Sequence, residues 1–188
     1  MRITLSSLAL AASLLIAPAA QAVEYKQFQA TKSSLSFMYK QMNVPVDGQF
    51  KSFRAMIAFD PAKPAAAKAE FEIDLASIDA GSKDANDEVA GKAWFNTKQF
   101  PVAKFVASSV KPLGNNRYEV AGKMSIKGKT RDLVTPLTVT QEGNSAIFDG
   151  ALVFKRADHG IGDGIWADFG TVANEVQIKF RIVASAAK

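Results

Sequence analysis

Apolar and polar residues alternate with period two through most of the chain, and this confines the possible folds more than any other feature. Leu35, Phe37 and Tyr39 share one face of a candidate strand, with Ser34, Ser36 and Met38 opposite. Ala69, Phe71, Ile73 and Leu75 alternate with Glu70, Glu72 and Asp74. Tyr118, Val120, Gly122, Met124 and Ile126 alternate with Glu119, Ala121, Lys123, Ser125 and Lys127. Ala146, Phe148, Gly150, Leu152 and Phe154 form a further face, and Val176, Ile178, Phe180 and Ile182 another. Residues 53–59, 103–110 and 133–140 are less regular strand candidates. One apolar and one charged face per strand is the pattern of antiparallel, half-solvated sheet. About eight such strands imply an all-β sandwich or an antiparallel barrel, and barrel closure removes free edges.

Turn chemistry separates the strands. Pro61-Ala62-Lys63-Pro64, Gly114-Asn115-Asn116, Lys127-Gly128-Lys129 and Glu142-Gly143-Asn144 all read as turns or hairpin loops. One segment departs from the pattern. Residues 84–93 have Val89 as their only β-branched residue and read as a short helix, with Ser82 or Asp84 as N-cap. Trp94-Phe95 follows directly and is expected to dock this helix on the sheet.

The N-terminus reads as a secretory signal peptide: a basic start at Arg2, an apolar run over residues 3–17, and the small-x-small site Ala20-Gln21-Ala22. The run is too short to span a bilayer, which takes about 20 apolar residues. Cleavage is expected after Ala22, leaving 23–188 as one domain. A secreted chain with no cysteine points to a bacterial periplasm.

The zero cysteine count also excludes disulfide scaffolds, Cys-based zinc sites, iron–sulfur clusters and thiol nucleophiles. A single histidine excludes two-His metal motifs. The net charge of +5 comes from lysines and arginines interspersed with acids, without a basic run, so nucleic acid is not an expected partner. Gly128-Lys129-Thr130 resembles the end of a phosphate loop, but the earlier glycine is out of register and a hairpin turn accounts for it. His159, beside Asp158, is the one candidate base, and no G-x-S-x-G elbow supplies a nucleophile. Asp158, Asp163 and Asp168 recur every five residues, too far apart for a calcium loop. Neither an enzyme nor a metal protein is expected.

Phenylalanine is the compositional lead, with 13 in the chain. Inward aromatics in an eight-stranded barrel either fill the interior or line a cavity for one small ligand. Alternation alone leaves both open. The candidate lining positions are Phe37, Phe50, Phe71, Phe105, Met124, Phe148, Phe154 and Phe180, with Trp94 and Trp166 at a mouth, where amphipathic rings suit a wet–dry boundary.

Several segments, in order along the chain, resemble the YceI-like family of secreted lipocalin-like proteins. They are Ser34-Leu35-Ser36-Phe37, Val46-Asp47-Gly48-Gln49-Phe50 with Phe53, and Ile73-Asp74-Leu75-Ala76-Ser77-Ile78. Trp94-Phe95 with Phe100-Pro101 and Phe105, the Gly122–Gly128 segment, and Arg156-Ala157-Asp158 with Gly160-Ile161-Gly162 complete the match. The sequence departs from the family in the helix, where Ala85-Asn86 and Val89 replace an Arg-Asp pair and a Leu. The resemblance implies an extended lipocalin-like barrel with an elongated apolar tunnel. That tunnel would hold a polyisoprenoid, a quinone-like molecule or another long-chain amphiphile, with no cofactor besides this ligand. Residues 164–168 are similar to a subgroup also found attached to cytochrome b561-type membrane domains, so a membrane redox protein is the alternative partner. The chain is expected to act as a monomer or homodimer.

Overall fold

The structure is a computed structural model that describes residues 23–187; the expected signal peptide and the expected cleavage after Ala22 lie outside the described residues. In chain order the strands are β1 (Tyr25–Phe28), β2 (Ser34–Gln41), β3 (Val44–Phe50), β4 (Phe53–Ala58), β5 (Lys68–Asp74), β6 (Ile78–Asp79), β7 (Val102–Gly114), β8 (Arg117–Ile126), β9 (Lys129–Glu142), β10 (Ser145–Lys155) and β11 (Glu175–Ala186). Helix α1 (Lys83–Ala90) lies between β6 and β7. The strands form one sheet, ordered β4-β5-β7-β8-β9-β10-β11-β2-β3-β6 with β1 also on β11, and every pairing is antiparallel. A twisted sheet of about ten strands curls on itself, and here it wraps one apolar face inward.

The eight strands read from alternation are all present. The structure adds three to the expected number. β1 and β6 are four and two residues long, too short to show a period. β3 carries Pro45, Asp47 and Gly48, which blur its alternation; only the family resemblance marks it as a strand.

Closure is narrower than a continuous ladder. The N-terminal strand is broken by a single 3-10 turn, Ala30–Lys32. β2 therefore pairs with β11 around Phe37–Ile178, while β1 pairs with its far end around Phe28–Ala184. Ser33 bridges the break, its hydroxyl donating to the Gln29 carbonyl at 2.8 Å and accepting from the Val183 amide at 2.9 Å. β1 then meets the residue after β4: the Tyr25 amide donates to the Phe59 carbonyl at 2.9 Å, and the Phe59 amide returns a bond at 3.1 Å. The curled sheet is joined at that end by this one bridge.

The turns follow the chemistry of tight hairpins. Asn115 and Asn116 both have positive φ (52° and 57°), as do Lys127 and Gly128 (48° and 73°), the signature of the two-residue type I′ turn. Helix α1 begins where Ser82 caps the Ala85 amide at 3.2 Å. It stops at Ala90, short of the expected residue 93. Gly91 caps it, its amide returning to the Glu88 carbonyl, and its own carbonyl takes the Trp94 and Asn96 amides. These turned-back bonds swing Trp94-Phe95 under the helix.

Candidate functional site: an apolar cavity closed at one end

The inward faces of the strands enclose a cavity of about 600 Å³, lined almost wholly by apolar side chains. That size lies within the roughly 300–1,000 Å³ of small-molecule sites. Phe50, Phe71, Met124, Phe154 and Phe180 point inward yet are only half-buried, as side chains facing open space must be. The interior is lined rather than filled, which decides between the two alternatives the sequence left open.

Glycine explains how so many phenylalanines leave room. Phe37 stands opposite Gly48 across β2–β3, and Phe180 opposite Gly150 across β10–β11. A Cβ on Gly48 would lie 2.3 Å from the Phe37 ring, and one on Gly150 only 2.2 Å from the Phe180 ring. Each ring therefore lies over its neighbour's bare backbone and forms wall instead of projecting into the lumen.

The two ends of the cavity differ. At the end where β1 closes the sheet, Tyr25, Phe59, Tyr118, Val139 and Phe148 are all buried. Phe59 packs edge-on against Tyr118 (5.4 Å) and Phe148 (5.2 Å), so aromatic rings plug most of this end, where Lys68 is the one exposed lining residue. At the other end the lining includes Gln41, Ser82, Asp84 and Glu88, all solvent-exposed, so the cavity opens there between α1 and the 160–173 loop. Ala85 and Val89 of α1 turn their apolar surfaces toward Phe37, Ile78 and Phe50 and roof this end.

Arg156 organises the open end. It is 2% exposed and faces no carboxylate within ion-pair distance among the described residues. Its Nε donates to the Ala173 carbonyl, Nη1 to Ile161 and Gly162, and Nη2 to Trp166 and Val172, all at 2.6–3.2 Å. Five N–H groups meet five carbonyls, so every donor of the guanidinium is used. The cation also stacks on Trp94 (5.3 Å) and Phe169 (5.2 Å). Burial lowers its pKa, with Asp163 opposing. The loop that borders the mouth is thus wound around one side chain. Gly162 (φ +82°) is obligatory, since a Cβ there would lie 1.9 Å from Nη1.

All the expected lining residues, Phe37, Phe50, Phe71, Phe105, Met124, Phe148, Phe154 and Phe180, face this cavity. Trp166 is half-buried at the rim, and its indole donates to Glu88 Oε1 at 2.7 Å, tying the loop to α1. Trp94 sits deeper than the mouth position expected of it. It is buried between Arg156 and Trp166 (5.6 Å between rings), and its indole N–H has no acceptor among the described residues. Alternation could have added Leu35, Leu152, Val176 and Ile178, which share the inward faces already recognised. Ser82, Asp84 and Glu88 carry no such signal, because a helix places them.

The remaining candidates have structural employment. Gly128-Lys129-Thr130 closes the β8–β9 hairpin, as its turn chemistry suggested. His159 is buried, packs on Phe154 (5.1 Å) and shares a 3.2 Å hydrogen bond between Nδ1 and the Lys129 carbonyl. It does not line the cavity. Burial lowers its pKa, and the nearby Arg131 charge adds to this. Asp168 accepts from the Gly170 amide and the Thr171 hydroxyl, and Asp163 faces Lys127 at 3.4 Å.

Comparison with known proteins agrees with this architecture. A family model described as the YceI-like domain matches residues 27–184. A UPF0312 protein of Azotobacter vinelandii is 27% identical, with 93% of each chain covered. The crystal structure of Burkholderia cenocepacia BcnA is similar at 49% identity and a TM-score of 0.82, covering 85% of this chain and 100% of that one. A polyisoprenoid-binding domain from Saccharophagus degradans shares the fold (TM-score 0.67, 88% and 99% covered) at 19% identity.

Proposed function

The chain belongs to the YceI-like domain family, and from that premise we propose that it is a binding or carrier protein for a polyisoprenoid, quinone-like or similar long-chain amphiphile in the periplasm. One observation carries the reading: an apolar cavity of about 600 Å³, plugged by aromatics at one end and open at the other. The polyisoprenoid binding named for the Saccharophagus domain supports the ligand class. The periplasmic location rests on the signal-peptide pattern of residues 1–22.

The energetics favour a long chain. Each buried CH₂ contributes about 0.8 kcal/mol. Association costs roughly 4–15 kcal/mol in lost freedom and ordering. A tail of five carbons gains only about 4 kcal/mol and does not stay bound, whereas about fifteen carbons gain about 12 kcal/mol. Such a tail is removed from water while the protein crosses an aqueous compartment, and nothing in that task needs an acid–base pair.

The test is native mass spectrometry and organic extraction of protein purified from a bacterial periplasm, beside a Leu152→Trp variant. Leu152 is a half-buried lining residue, and an indole there narrows the lumen. The expected result is a co-purifying long-chain lipid in the wild type, much reduced in the variant. A wild type that is consistently empty, and takes up no lipid on reconstitution, refutes the reading. A membrane redox partner is not carried further: Ile165 and Phe169 are exposed on the loop, but scattered apolar side chains do not define an interface.

A further inference from the structure

The open end of the cavity has a charge character that bears on the ligand's head group. With the carrier reading as its basis, we infer that the mouth selects uncharged or cationic amphiphiles and rejects phosphate and carboxylate head groups.

A tail entering the cavity lies against the aromatic plug and leaves its head at the α1 end, where the lining is polar. The groups there are the Gln41 amide, the Ser82 hydroxyl and the carboxylates of Asp84 and Glu88, with the Tyr39 hydroxyl already donated to the Ala80 carbonyl at 3.3 Å. Arg156 is the only cation in the lining at this end, and its five N–H groups are already donated to five carbonyls. A phosphate would find no free donor on it and could take one only by unwinding the loop. The partial positive charge at the start of α1 is likewise engaged, with Ser82 capping the Ala85 amide and Asp84 in the first turn. Nearby lysines are held outside the lining: Lys83 pairs with Asp87, and Lys127 donates to the Gly160 carbonyl at 2.6 Å. The other lining lysine, Lys68, belongs to the plugged end.

An anionic head at this mouth meets two like charges and no free cation in the lining, only the neutral donors of Gln41 and Ser82, which disfavours it. An alcohol can hydrogen-bond to Gln41, Ser82 or the carboxylates, a quinone carbonyl can accept from the Gln41 amide or the Ser82 hydroxyl, and a protonated amine gains a charge-assisted bond to a carboxylate. Glu88 and Asp84 are thus specificity-determining residues for the cavity's ligand.

The experiment uses delipidated protein and three probes that share one C20 tail: geranylgeraniol, geranylgeranylamine and geranylgeranyl monophosphate. Dissociation constants are measured by displacement of an apolar fluorophore. The alcohol and amine are expected to bind at least about tenfold more tightly than the phosphate. The double variant Asp84→Asn, Glu88→Gln keeps side-chain oxygens for Trp166 and solvent, and should reduce the gap to within about threefold. In the wild type the gap should also narrow between low and high salt, because like charges at an exposed rim are screened. This second measurement stands whether or not the variant folds. Equal affinity for all three probes, or a gap indifferent to salt, overturns the inference and leaves the carrier reading intact. Failure of all three to bind overturns the carrier reading, and the inference with it.

Discussion

Replacing Arg156 with lysine tests the idea that one guanidinium holds the loop at the cavity mouth. Arginine supplies five donors in a fixed planar fork, and all five are used on carbonyls of residues 161, 162, 166, 172 and 173. Lysine has three donors, so at least two of these carbonyls lose their partner. A buried acceptor left without a partner costs about 1–3 kcal/mol, so Arg156→Lys should lower stability by about 2–6 kcal/mol. Loss of stacking on Trp94 and Phe169 adds about 0.5–1 kcal/mol. Arg156→Met leaves all five carbonyls unpaired but also removes the cost of burying a charge, which offsets part of the loss. The assay is urea unfolding followed by far-ultraviolet circular dichroism, with tryptophan emission recorded in parallel. The chain has two tryptophans, and both Trp94 and Trp166 lie against this clasp. Emission therefore reports the loop while dichroism reports the sheet. The expected result is a lower midpoint for both variants and an emission shift that precedes loss of the sheet. An Arg156→Lys protein within about 0.5 kcal/mol of wild type, with unchanged emission, would show that the loop does not depend on this side chain.

Two further outcomes follow from the packing. Gly150→Ala places a methyl where the Phe180 ring lies and drives the ring into the lumen, so it should destabilise the protein by about 1–3 kcal/mol and weaken lipid uptake; thermal melts and reconstitution measure both. His159 is buried with its pKa lowered, so the unfolded chain takes up its proton near pH 6.5 while the folded chain resists. Stability is then unaffected by this group above about pH 7 and falls as pH drops through 6.5, at no more than about 1.4 kcal/mol per pH unit. His159→Phe should flatten that part of a stability–pH profile, and an unaltered profile would remove His159 as its source.

The walls of the cavity were legible because strand geometry writes itself into sequence. With period two, a residue such as Phe71 or Phe180 reveals its face through its neighbours, and the glycine opposite Phe180 lies on that same face. Beyond Trp166 at the rim, the mouth was not legible, and the reason is physical. Arg156 is satisfied by backbone carbonyls, which every residue carries, so no choice of side chains at 161–173 announces that five of them converge on one guanidinium. Only Gly162, where a Cβ would collide with Nη1, leaves a trace, and Gly160-Ile161-Gly162 reads equally well as an ordinary loop. Asp84 and Glu88 were hidden for a related reason. They sit one helical turn apart on a short segment with only Ala85 and Val89 as its inward apolar pair, so its orientation is set largely by the cap at Ser82 and the turned-back chain at Gly91. What the cavity encloses is therefore written in the strands. What it admits is decided by a helix and a loop whose geometry emerges only when the chain folds. If the charge at the mouth governs the choice of head group, relatives with the same walls and different α1 residues at 84 and 88 should carry different lipids.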